Sequence, residues 1–457
     1  MNTDTIAAIA TFPGNAGINI IRISGNDSLD IAEKIFINKN KKQNISLKPR
    51  YLHYGHIVDK GGRVIDEVLI SYMKGPNTYT REDIVEINCH GGIISAKKIL
   101  ETVLEHECRP AERGEFTKRA FLNGRIDLTQ AEAVIDIINS KTDSSHEISV
   151  NHLEGRLSKE INEIIDSIME LLANIEVNID FPEYDEDEIT IEKVRELSER
   201  TADRIDKLIS TADTGKIFKE GIKTVILGKP NVGKSSLMNF LLNENRAIVT
   251  EVPGTTRDTI EEYVNIKGVP LRIIDTAGIR ETDDKVEKIG VEKALQKVEE
   301  ADLVIMIFDS SRELEDDDKK ILNYIENKKV IYIKNKTDLE EMLNLSEYES
   351  IEKDAVSISV LKNQGLDEII DKIAEMFFHG TINVSDELII NNVRHKSLLT
   401  NAGRSLLEVL NSIENNMTID FVEIDLKQAV EYLGLIVGKT VSDDLMDKIF
   451  NEFCIGK

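Results

Sequence analysis

Gly228-Lys229-Pro230-Asn231-Val232-Gly233-Lys234-Ser235 is the stretch from which the architecture of this chain can be worked out. An apolar run at 224–227 precedes it and predicts a buried strand, and residues 236–242 after it predict a helix with an apolar face. A glycine-rich turn between strand and helix lets backbone N–H groups surround phosphate oxygens at the positive end of the helix. In such a turn Lys234 reaches the terminal phosphates and the Ser235 hydroxyl can hold Mg²⁺. The pattern therefore predicts a phosphate-binding loop.

Length and composition limit the class of protein. The 457 residues suffice for about three domains. A net charge of −26 opposes binding to nucleic acid by charge alone, so an RNA partner would need a local basic patch or another subunit. The three cysteines, Cys89, Cys108 and Cys454, form no metal-type pair and suit a reducing compartment. No apolar run approaches the roughly 20 residues that span a bilayer, so we expect a cytoplasmic protein that does not bind membranes.

Hydrophobic periodicity divides the chain into four segments. Residues 1–116 mix strand-like and helical sequence, with strands expected at 18–24, 64–72 and 83–89. Residues 117–215 are helical, with one apolar stripe formed by Ile161, Ile164, Ile165, Ile168, Leu171, Leu172 and Ile175. Residues 216–380 alternate helices with strands expected at 224–227, 271–274, 303–308, 330–333 and 355–358, which predicts a parallel, doubly wound sheet. Residues 381–457 become helical again, at 397–413 and 427–453. We therefore expect a helical domain, 117–215 with 381–457, into which an α/β domain is inserted.

The strand expected at 83–89 ends at paired glycines and carries polar side chains. Glu86 and His90 could line a pocket there, or could equally be a solvated strand residue and a loop histidine.

Three further motifs follow expected strands in the α/β segment. Asp275-Thr276-Ala277-Gly278 places an aspartate near Mg²⁺ and a glycine N–H near the γ-phosphate. Asn335-Lys336-Thr337-Asp338 provides a carboxylate that accepts both N–H donors of guanine, which favours GTP over ATP. Ser359-Val360-Leu361 stands where a second loop contacts the base, mainly through its backbone. Four such elements in this order are typical of Ras-like GTPases.

The residues around the γ-phosphate differ from the common pattern. Thr256, in a glycine-containing loop, is the expected switch threonine for Mg²⁺. Residue 279 is Ile279, which cannot orient a water molecule as the glutamine of fast GTPases does. The Asn231 side-chain oxygen could instead ligate a monovalent cation, whose positive charge would replace that of an arginine finger.

Over nearly its whole length the chain resembles the MnmE (TrmE) family of tRNA modification GTPases. The stretches that carry the resemblance are 5–6, 22–25, 82–86, 90–92, 114–117, 119–125, 254–258 and the terminal Phe453-Cys454-Ile455-Gly456-Lys457.

The resemblance implies a tetrahydrofolate-binding N-terminal domain (1–116), the helical domain with an inserted Ras-like GTPase domain, and a homodimer. It also implies a flavin-dependent partner of the MnmG (GidA) type, with which the enzyme adds an aminomethyl or carboxymethylaminomethyl group to C5 of the wobble uridine of tRNA. The folate, as a 5-formyl or 5,10-methylene derivative, would be bound by Arg22, Glu86, Arg125 and Lys457. Arg125 replaces a lysine found in some relatives.

In the GTPase domain the resemblance assigns K⁺ to Asn231, Thr250, Val252 and Thr255, and Mg²⁺ to Ser235 and Thr256. It assigns Glu287 to the acid that orients the attacking water, beside Lys234 and Asn231 as the other catalytic residues. The residues expected to contact GTP are Asn231, Val232, Gly233, Lys234, Ser235, Ser236, Thr250, Glu251, Val252, Pro253, Gly254, Thr255, Thr256, Asp275, Thr276, Ala277, Gly278, Asn335, Lys336, Asp338, Ser359, Val360 and Leu361.

Two alternatives to this function stay open from the sequence. The chain could be a GTP-dependent assembly switch without linked chemistry, or a plain folate-dependent one-carbon transferase, which would leave the GTPase motifs without a purpose. Cys454 could be a nucleophile with a lowered pKa, or it could pack in a pocket wall.

Overall fold

A computed structural model describes residues 4–12, 14, 16–40, 46–180, 191–245, 262–266, 268–274, 297–378 and 388–457. The chain forms two compact units. The first comprises 1–135, 152–166 and 433–457, and the second comprises 136–151 and 167–432. None of the helices in the described part combines the length and apolar character needed to cross a membrane.

The strands and helices are numbered in chain order. The strands are β1 (Thr5–Ile9), β2 (Ile18–Ser24), β3 (Phe36–Asn38), β4 (Leu52–Val58), β5 (Val64–Met73), β6 (Ile84–His90), β7 (Cys108–Pro110), β8 (Ile222–Leu227), β9 (Glu262–Ile266), β10 (Val269–Ile273), β11 (Leu303–Asp309), β12 (Val330–Asn335) and β13 (Val356–Ser357). The helices are α1 (Ser28–Ile35), α2 (Ile93–Leu104), α3 (Glu115–Leu122), α4 (Leu128–Asn139), α5 (Asp143–Leu153), α6 (Arg156–Asp180), α7 (Ile191–Ser210), α8 (Ala212–Glu220), α9 (Lys234–Asn245), α10 (Asp316–Ile325), α11 (Glu349–Asp354), α12 (Leu366–Phe378), α13 (Val393–Glu414), α14 (Ile419–Val437) and α15 (Asp443–Phe450).

The first unit is built on a mixed sheet. Within the described residues its seven strands lie in the order β3-β4-β5-β6-β2-β1-β7, and every pair is antiparallel except β1 with β7. Helices α1 and α2 pack against this sheet, and alternate residues of β2 and β6, such as Ile21, Ile23, Val85 and Ile87, are buried in the core. The mixed α+β architecture and the strands expected at 18–24, 64–72 and 83–89 are confirmed.

The C-terminal tail of the chain returns to the sheet of the first unit. The backbone N–H of Phe116 donates to the Lys457 carbonyl at 3.2 Å, and Arg113 forms a β-bridge with Ile455. Gly456 has φ of 92°, and a Cβ there would lie 2.5 Å from the Ile9 carbonyl oxygen, so only glycine allows this approach. The tail therefore forms part of the surroundings of β1 and α3.

The helical stretch expected at 427–453 is wrong in its boundaries. The structure has two helices there, α14 and α15, and α14 ends at Gly438, where φ is 89°. A Cβ at this position would lie 2.9 Å from the Leu128 Cβ and from the Phe121 ring. The chain restarts as α15 where the Ser442 hydroxyl accepts from the Leu445 N–H at 3.4 Å. Local periodicity cannot detect such a close approach between distant segments.

The second unit contains the doubly wound sheet. In the described part of the chain its strands lie in the order β13-β12-β11-β8-β10-β9. Alternate side chains of β8 and β11 face opposite sides: Ile226 and Ile305 pack with residues of α9 and α12, whereas Val225 and Val304 pack with residues of α10 and α11. Both faces are therefore covered, as expected for parallel strands that alternate with helices.

One edge strand of this sheet was not predicted. Strand β9 pairs with β10 in the antiparallel direction, whereas the other neighbours in the sheet are parallel. It is a short hairpin partner in which Val264 is buried and Tyr263 and Asn265 are half-buried. Strand β9 has five residues in which apolar and polar side chains alternate only weakly, so the sequence gives little indication of a strand there.

The helices outside the sheet agree with the periodicity of the sequence. The seven apolar residues of the α6 stripe, from Ile161 to Ile175, are all buried. In the second unit α7 packs along α13, with Ile205 and Leu208 of α7 and Leu399 and Leu406 of α13 buried. Helix α7 lies in the segment 117–215 that was expected to be helical, and the helix expected at 397–413 is confirmed.

Candidate functional site

The glycines of the phosphate loop stand where no side chain fits. The loop runs from the end of β8 at Leu227 to the start of α9 at Lys234. Gly228 has φ of 145°, and a Cβ there would lie 2.5 Å from the Ile307 carbonyl oxygen. Gly233 has φ of 104°, and its Cβ would lie 2.2 Å from Asn335 Nδ2. The loop is therefore folded tightly over the ends of the sheet strands, with its backbone at the N-terminus of α9.

Lys234 lies inside this loop. Its ammonium Nζ donates to the carbonyl oxygens of Gly228 and Lys229, both at 2.7 Å. Burial lowers the pKa of Lys234, because its charged form loses water. An ammonium group held by backbone carbonyls at the mouth of a phosphate loop can exchange these acceptors for phosphate oxygens.

A second lysine ties the loop to α10, and sequence reasoning missed it. The Lys229 ammonium pairs with Glu315, the residue that caps α10, and Glu315 also accepts from Arg312 Nη1 at 3.0 Å. Lysine at this position fits no motif, so only the tertiary contact identifies it.

Asn335 joins three of the expected nucleotide loops. Its side chain is buried at the end of β12, and Nδ2 donates to the Val232 carbonyl of the phosphate loop at 2.8 Å. Its Oδ1 accepts from the Val360 N–H at 3.4 Å. The phosphate loop, the Asn335-Lys336-Thr337-Asp338 loop and the Ser359-Val360-Leu361 loop are therefore held together by one amide.

The neighbours of Asn335 fix the carboxylate expected to contact guanine. The Ser359 hydroxyl donates to Asp338 Oδ1 at 2.6 Å, and this hydrogen bond lowers the pKa of Asp338. Lys336 has a left-handed backbone, with φ of 66°, and its ammonium donates to Asp309 Oδ2 at 2.6 Å. The Leu361 side chain is 87% exposed, so its loop offers mainly backbone to a ligand.

The remaining GTPase residues differ in how they are placed. Asn231 has φ of 62° and is exposed at the outside of the loop, whereas Val232 is fully buried. Ser235 and Ser236 lie in the first turn of α9, and Ser235 is half-buried. Outside the described residues lie Thr250, Glu251, Val252, Pro253, Gly254, Thr255, Thr256, Asp275, Thr276, Ala277, Gly278 and Glu287.

A second cluster lies in the first unit, where a guanidinium and a carboxylate face each other across the sheet. Arg22 on β2 is directly opposite Glu86 on β6, and Arg22 Nε and Nη2 each lie 2.9 Å from Glu86 Oε1. Arg22 Nη1 also donates to the Gly456 carbonyl at 3.3 Å. The register of two antiparallel strands therefore brings together residues 64 positions apart.

Aromatic rings complete this cluster, and sequence reasoning missed them. The Arg22 guanidinium lies 5.8 Å from the centre of the Tyr79 ring and 5.6 Å from that of Phe116. The Arg125 guanidinium lies 4.6 Å from the centre of the Tyr79 ring. Tyr79 follows no strand or helix period, which explains why the sequence did not indicate it.

The C-terminal residues flank the same cluster. The Lys457 carbonyl accepts from the N–H of Phe116 at 3.2 Å. Arg22, which pairs with Glu86, lies near both rings, and Arg125 lies near Tyr79. Cys454 is exposed, which disagrees with packing in a pocket wall. His90 is exposed and bonds to Asp66, with Nδ1 at 2.7 Å from Oδ1. Glu86 and His90 thus have different partners, Arg22 and Asp66 respectively.

Family models and known relatives match this chain over nearly its whole length. The family models that match are the MnmE helical domain, over residues 128–454, and the GTP-binding protein TrmE N-terminus, over residues 5–125. The chain is 54% identical to the tRNA modification GTPase MnmE of Clostridioides difficile (strain 630), 53% to that of Alkaliphilus oremlandii (strain OhILAs) and 49% to that of Geobacillus thermodenitrificans (strain NG80-2). In each case the match covers 99% of both chains.

Solved structures match a smaller part. The G domain of the T. maritima FeoB iron transporter covers 34% of the chain at 27% identity, with a TM-score of 0.26. A match at this score supports no structural conclusion.

Proposed function

Because the chain belongs to the MnmE family of tRNA modification GTPases, we propose that it hydrolyses GTP with stimulation by K⁺ and couples hydrolysis to folate-dependent modification of tRNA. The chain is a GTP-hydrolysing enzyme of tRNA modification. The finer proposal is that a homodimer acts with a flavin-dependent partner of the MnmG type. Together they would add an aminomethyl or carboxymethylaminomethyl group to C5 of the wobble uridine. The domain boundaries at residues 116, 215 and 380 belong to the same proposal.

The observation that carries the nucleotide site is the buried amide of Asn335, which joins the phosphate loop to both base loops. The Asp338 carboxylate, whose pKa is lowered by Ser359, stays ionised and can accept both N–H groups of guanine. Lys234 can meet the β- and γ-phosphates from inside the loop. These residues bind and orient GTP, and guanine is selected by the carboxylate.

The donor atoms fit the expected cations. Ser235 offers a hydroxyl oxygen in the first turn of α9, of the type that Mg²⁺ prefers, and Thr256 would be its companion. Asn231 offers an exposed amide oxygen for K⁺, with Thr250, Val252 and Thr255. When bound, these cations would neutralise charge that develops on the phosphates.

Water activation would fall to Glu287. The family resemblance assigns Glu287 to this role, and the assignment accounts for Ile279, which cannot orient a water molecule through its side chain. Glu287 would hold the nucleophilic water and accept its proton, directly or through a second water.

The second cluster fits a folate. The half-buried Tyr79 offers aromatic surface to a pterin, Glu86 can accept from its N–H edge, and Arg22, Arg125 and Lys457 can meet glutamate carboxylates. A bound tetrahydrofolate, as the 5-formyl or 5,10-methylene derivative, would supply the one-carbon unit.

Steady-state GTP hydrolysis in K⁺ and in Na⁺ at equal ionic strength tests the GTPase part. We expect clear stimulation by K⁺, lost in Asn231→Ala. Glu287→Ala should lower kcat by roughly 100-fold or more while nucleotide affinity stays within about threefold. Glu281→Ala removes a carboxylate from the same segment and serves as the matched control.

Equal, slow rates in both cations would contradict K⁺ stimulation and would favour the GTP-dependent assembly switch. Unchanged turnover in Glu287→Ala would show that Glu287 does not activate the water molecule. The assignment of the GTP-binding residues would not be affected by that result.

A further inference from the structure

The charge of the chain is distributed unevenly. Residues 1–135 contain 18 lysines and arginines and 17 aspartates and glutamates, whereas residues 136–457 contain 39 and 66. The net charge is therefore +1 over residues 1–135 and −27 over residues 136–457. A polyanion would be repelled least by this part of the chain.

Four exposed cationic residues lie on neighbouring backbone segments beside β5, and we call Lys48, Arg50, Lys74 and Arg81 the basic strip. The Arg50 N–H donates to the Tyr72 carbonyl at 2.7 Å, two residues before Lys74. A Cβ on Gly75 would lie 2.8 Å from the Arg81 carbonyl oxygen, so the backbones at 75 and 81 are in contact. All four residues are exposed.

No carboxylate of the described residues forms an ion pair with the basic strip. The nearest acids have other partners: Asp83 accepts from the Tyr72 hydroxyl and the Gly75 N–H, and Glu82 accepts from Arg119 and Ser24. Elsewhere in this unit exposed lysines do have such partners, as in Lys60 with Glu105 and Lys97 with Glu101. The charges of the basic strip are therefore not neutralised by any carboxylate that the structure describes.

An exposed aromatic residue adjoins the basic strip. Tyr51 follows Arg50 directly and is 64% exposed, and Leu52 beside it is 67% exposed. Lysine and arginine bind phosphates, while aromatic rings stack on unpaired bases, and the combination is typical of surfaces that bind RNA loops.

We propose that the basic strip and Tyr51 form a surface that contacts the tRNA substrate, with the cations on the phosphate backbone and the ring on an unpaired base. The inference depends on the proposed function, which supplies tRNA as the partner. It explains how a strongly acidic protein can bind RNA directly, because the contact lies on the part of the chain that carries almost no net charge.

The test uses the full chain and a fluorescently labelled, unmodified tRNA transcript, with binding followed by anisotropy between about 50 and 200 mM salt. In Arg50→Gln/Lys74→Gln/Arg81→Gln we expect weaker binding, by about tenfold or more at low salt. The slope of log K against log salt should fall by about 2. Lys60→Gln/Lys97→Gln/Lys98→Gln removes the same charge from the same unit and should leave both values near those of the wild type.

Tyr51 provides a separate readout. Tyr51→Ala should weaken binding by roughly tenfold without changing the salt slope, and Tyr51→Phe should restore it, because stacking needs the ring and releases no counterions. Normal tRNA affinity in Tyr51→Ala would show that Tyr51 does not stack on a base.

The proposal is overturned if the strip variant binds as the wild type does, if the lysine control loses as much affinity, or if the wild-type chain does not bind the transcript. If Arg50→Gln/Lys74→Gln/Arg81→Gln binds tRNA normally but loses affinity for a pentaglutamyl folate, the basic strip binds the polyglutamate tail of the folate and not tRNA. GTP hydrolysis by the same preparations tests the proposed function separately, since no strip residue belongs to the nucleotide site.

Discussion

Asp338 is the single residue that we propose selects the nucleotide. The hydrogen bond from Ser359 orients the carboxylate and keeps it ionised, so it presents two acceptor oxygens at the base loop. Guanine offers two donors to such a group, whereas xanthine has a carbonyl in place of the exocyclic amine.

Asp338→Asn should therefore lower affinity for GTP by roughly 100-fold and raise affinity for xanthosine triphosphate, since an amide can both donate and accept. Competition binding with the two nucleotides measures the change. Asn239→Ala, at an exposed position of α9, is the control. Unaltered preference for GTP would show that Asp338 does not read the base.

The turn between β6 and α2 shows how the requirement for glycine differs between neighbours. A Cβ on Gly91 would lie 1.8 Å from the Ala16 carbonyl oxygen, and the Ala16 N–H donates back to the Gly91 carbonyl at 3.1 Å. A Cβ on Gly92, the residue that caps α2, meets nothing within 4 Å.

Gly91→Ala should destabilise the protein by about 3 kcal/mol, because two backbone segments must separate. Gly92→Ala should cost less than about 1 kcal/mol, since its φ of −81° suits alanine and only the helix cap changes. Denaturant unfolding compares the two variants. Equal losses in the free energy of unfolding would mean that the turn conformation, and not the contact with Ala16, requires glycine at residue 91.

On the scale of the whole molecule, acid stability depends on a buried ion network in the first unit. Arg119 Nη2 lies 2.9 Å from Asp4 Oδ1 and 3.0 Å from Glu115 Oε1. Burial alone would raise the pKa of Glu115, but hydrogen bonds from Arg109, from the Glu112 N–H and from Arg119 outweigh it and lower that pKa. The same balance of burial against arginine contacts lowers the pKa of Asp4.

A lowered carboxylate pKa stabilises the fold above the ordinary value, near 4.5 for Glu115, and this stability is lost as pH falls through the folded value. Arg119→Met should cost about 3 kcal/mol near neutral pH and move acid unfolding to a higher pH, because Glu82 loses its arginine partner and Glu115 and Asp4 keep only Arg109. Lys118→Met, which removes a more exposed pair with Asp447, should cost less than about 1 kcal/mol. Circular dichroism during acid titration compares the two variants. Identical unfolding curves would show that the ion network around Arg119 does not set the stability in acid.

The sequence by itself determined the doubly wound sheet and the long helices. Strand and helix periods are local, and burying both faces of parallel strands requires the continuous apolar runs seen in β8 and β11. It also indicated the phosphate loop and the base loops, because each motif lies within a few residues and depends on backbone conformations that few residue types adopt.

Only the tertiary structure decided which distant groups meet. Asn335 reaches Val232, Lys229 reaches Glu315, and Tyr79 lies between Arg22 and Arg125, and no local pattern records these contacts. The end of α14 at Gly438 and the edge position of β9 likewise depend on neighbours far along the chain. The reason is physical: local sequence fixes backbone preference and burial, whereas packing and strand register, which link segments up to hundreds of residues apart, fix the partners.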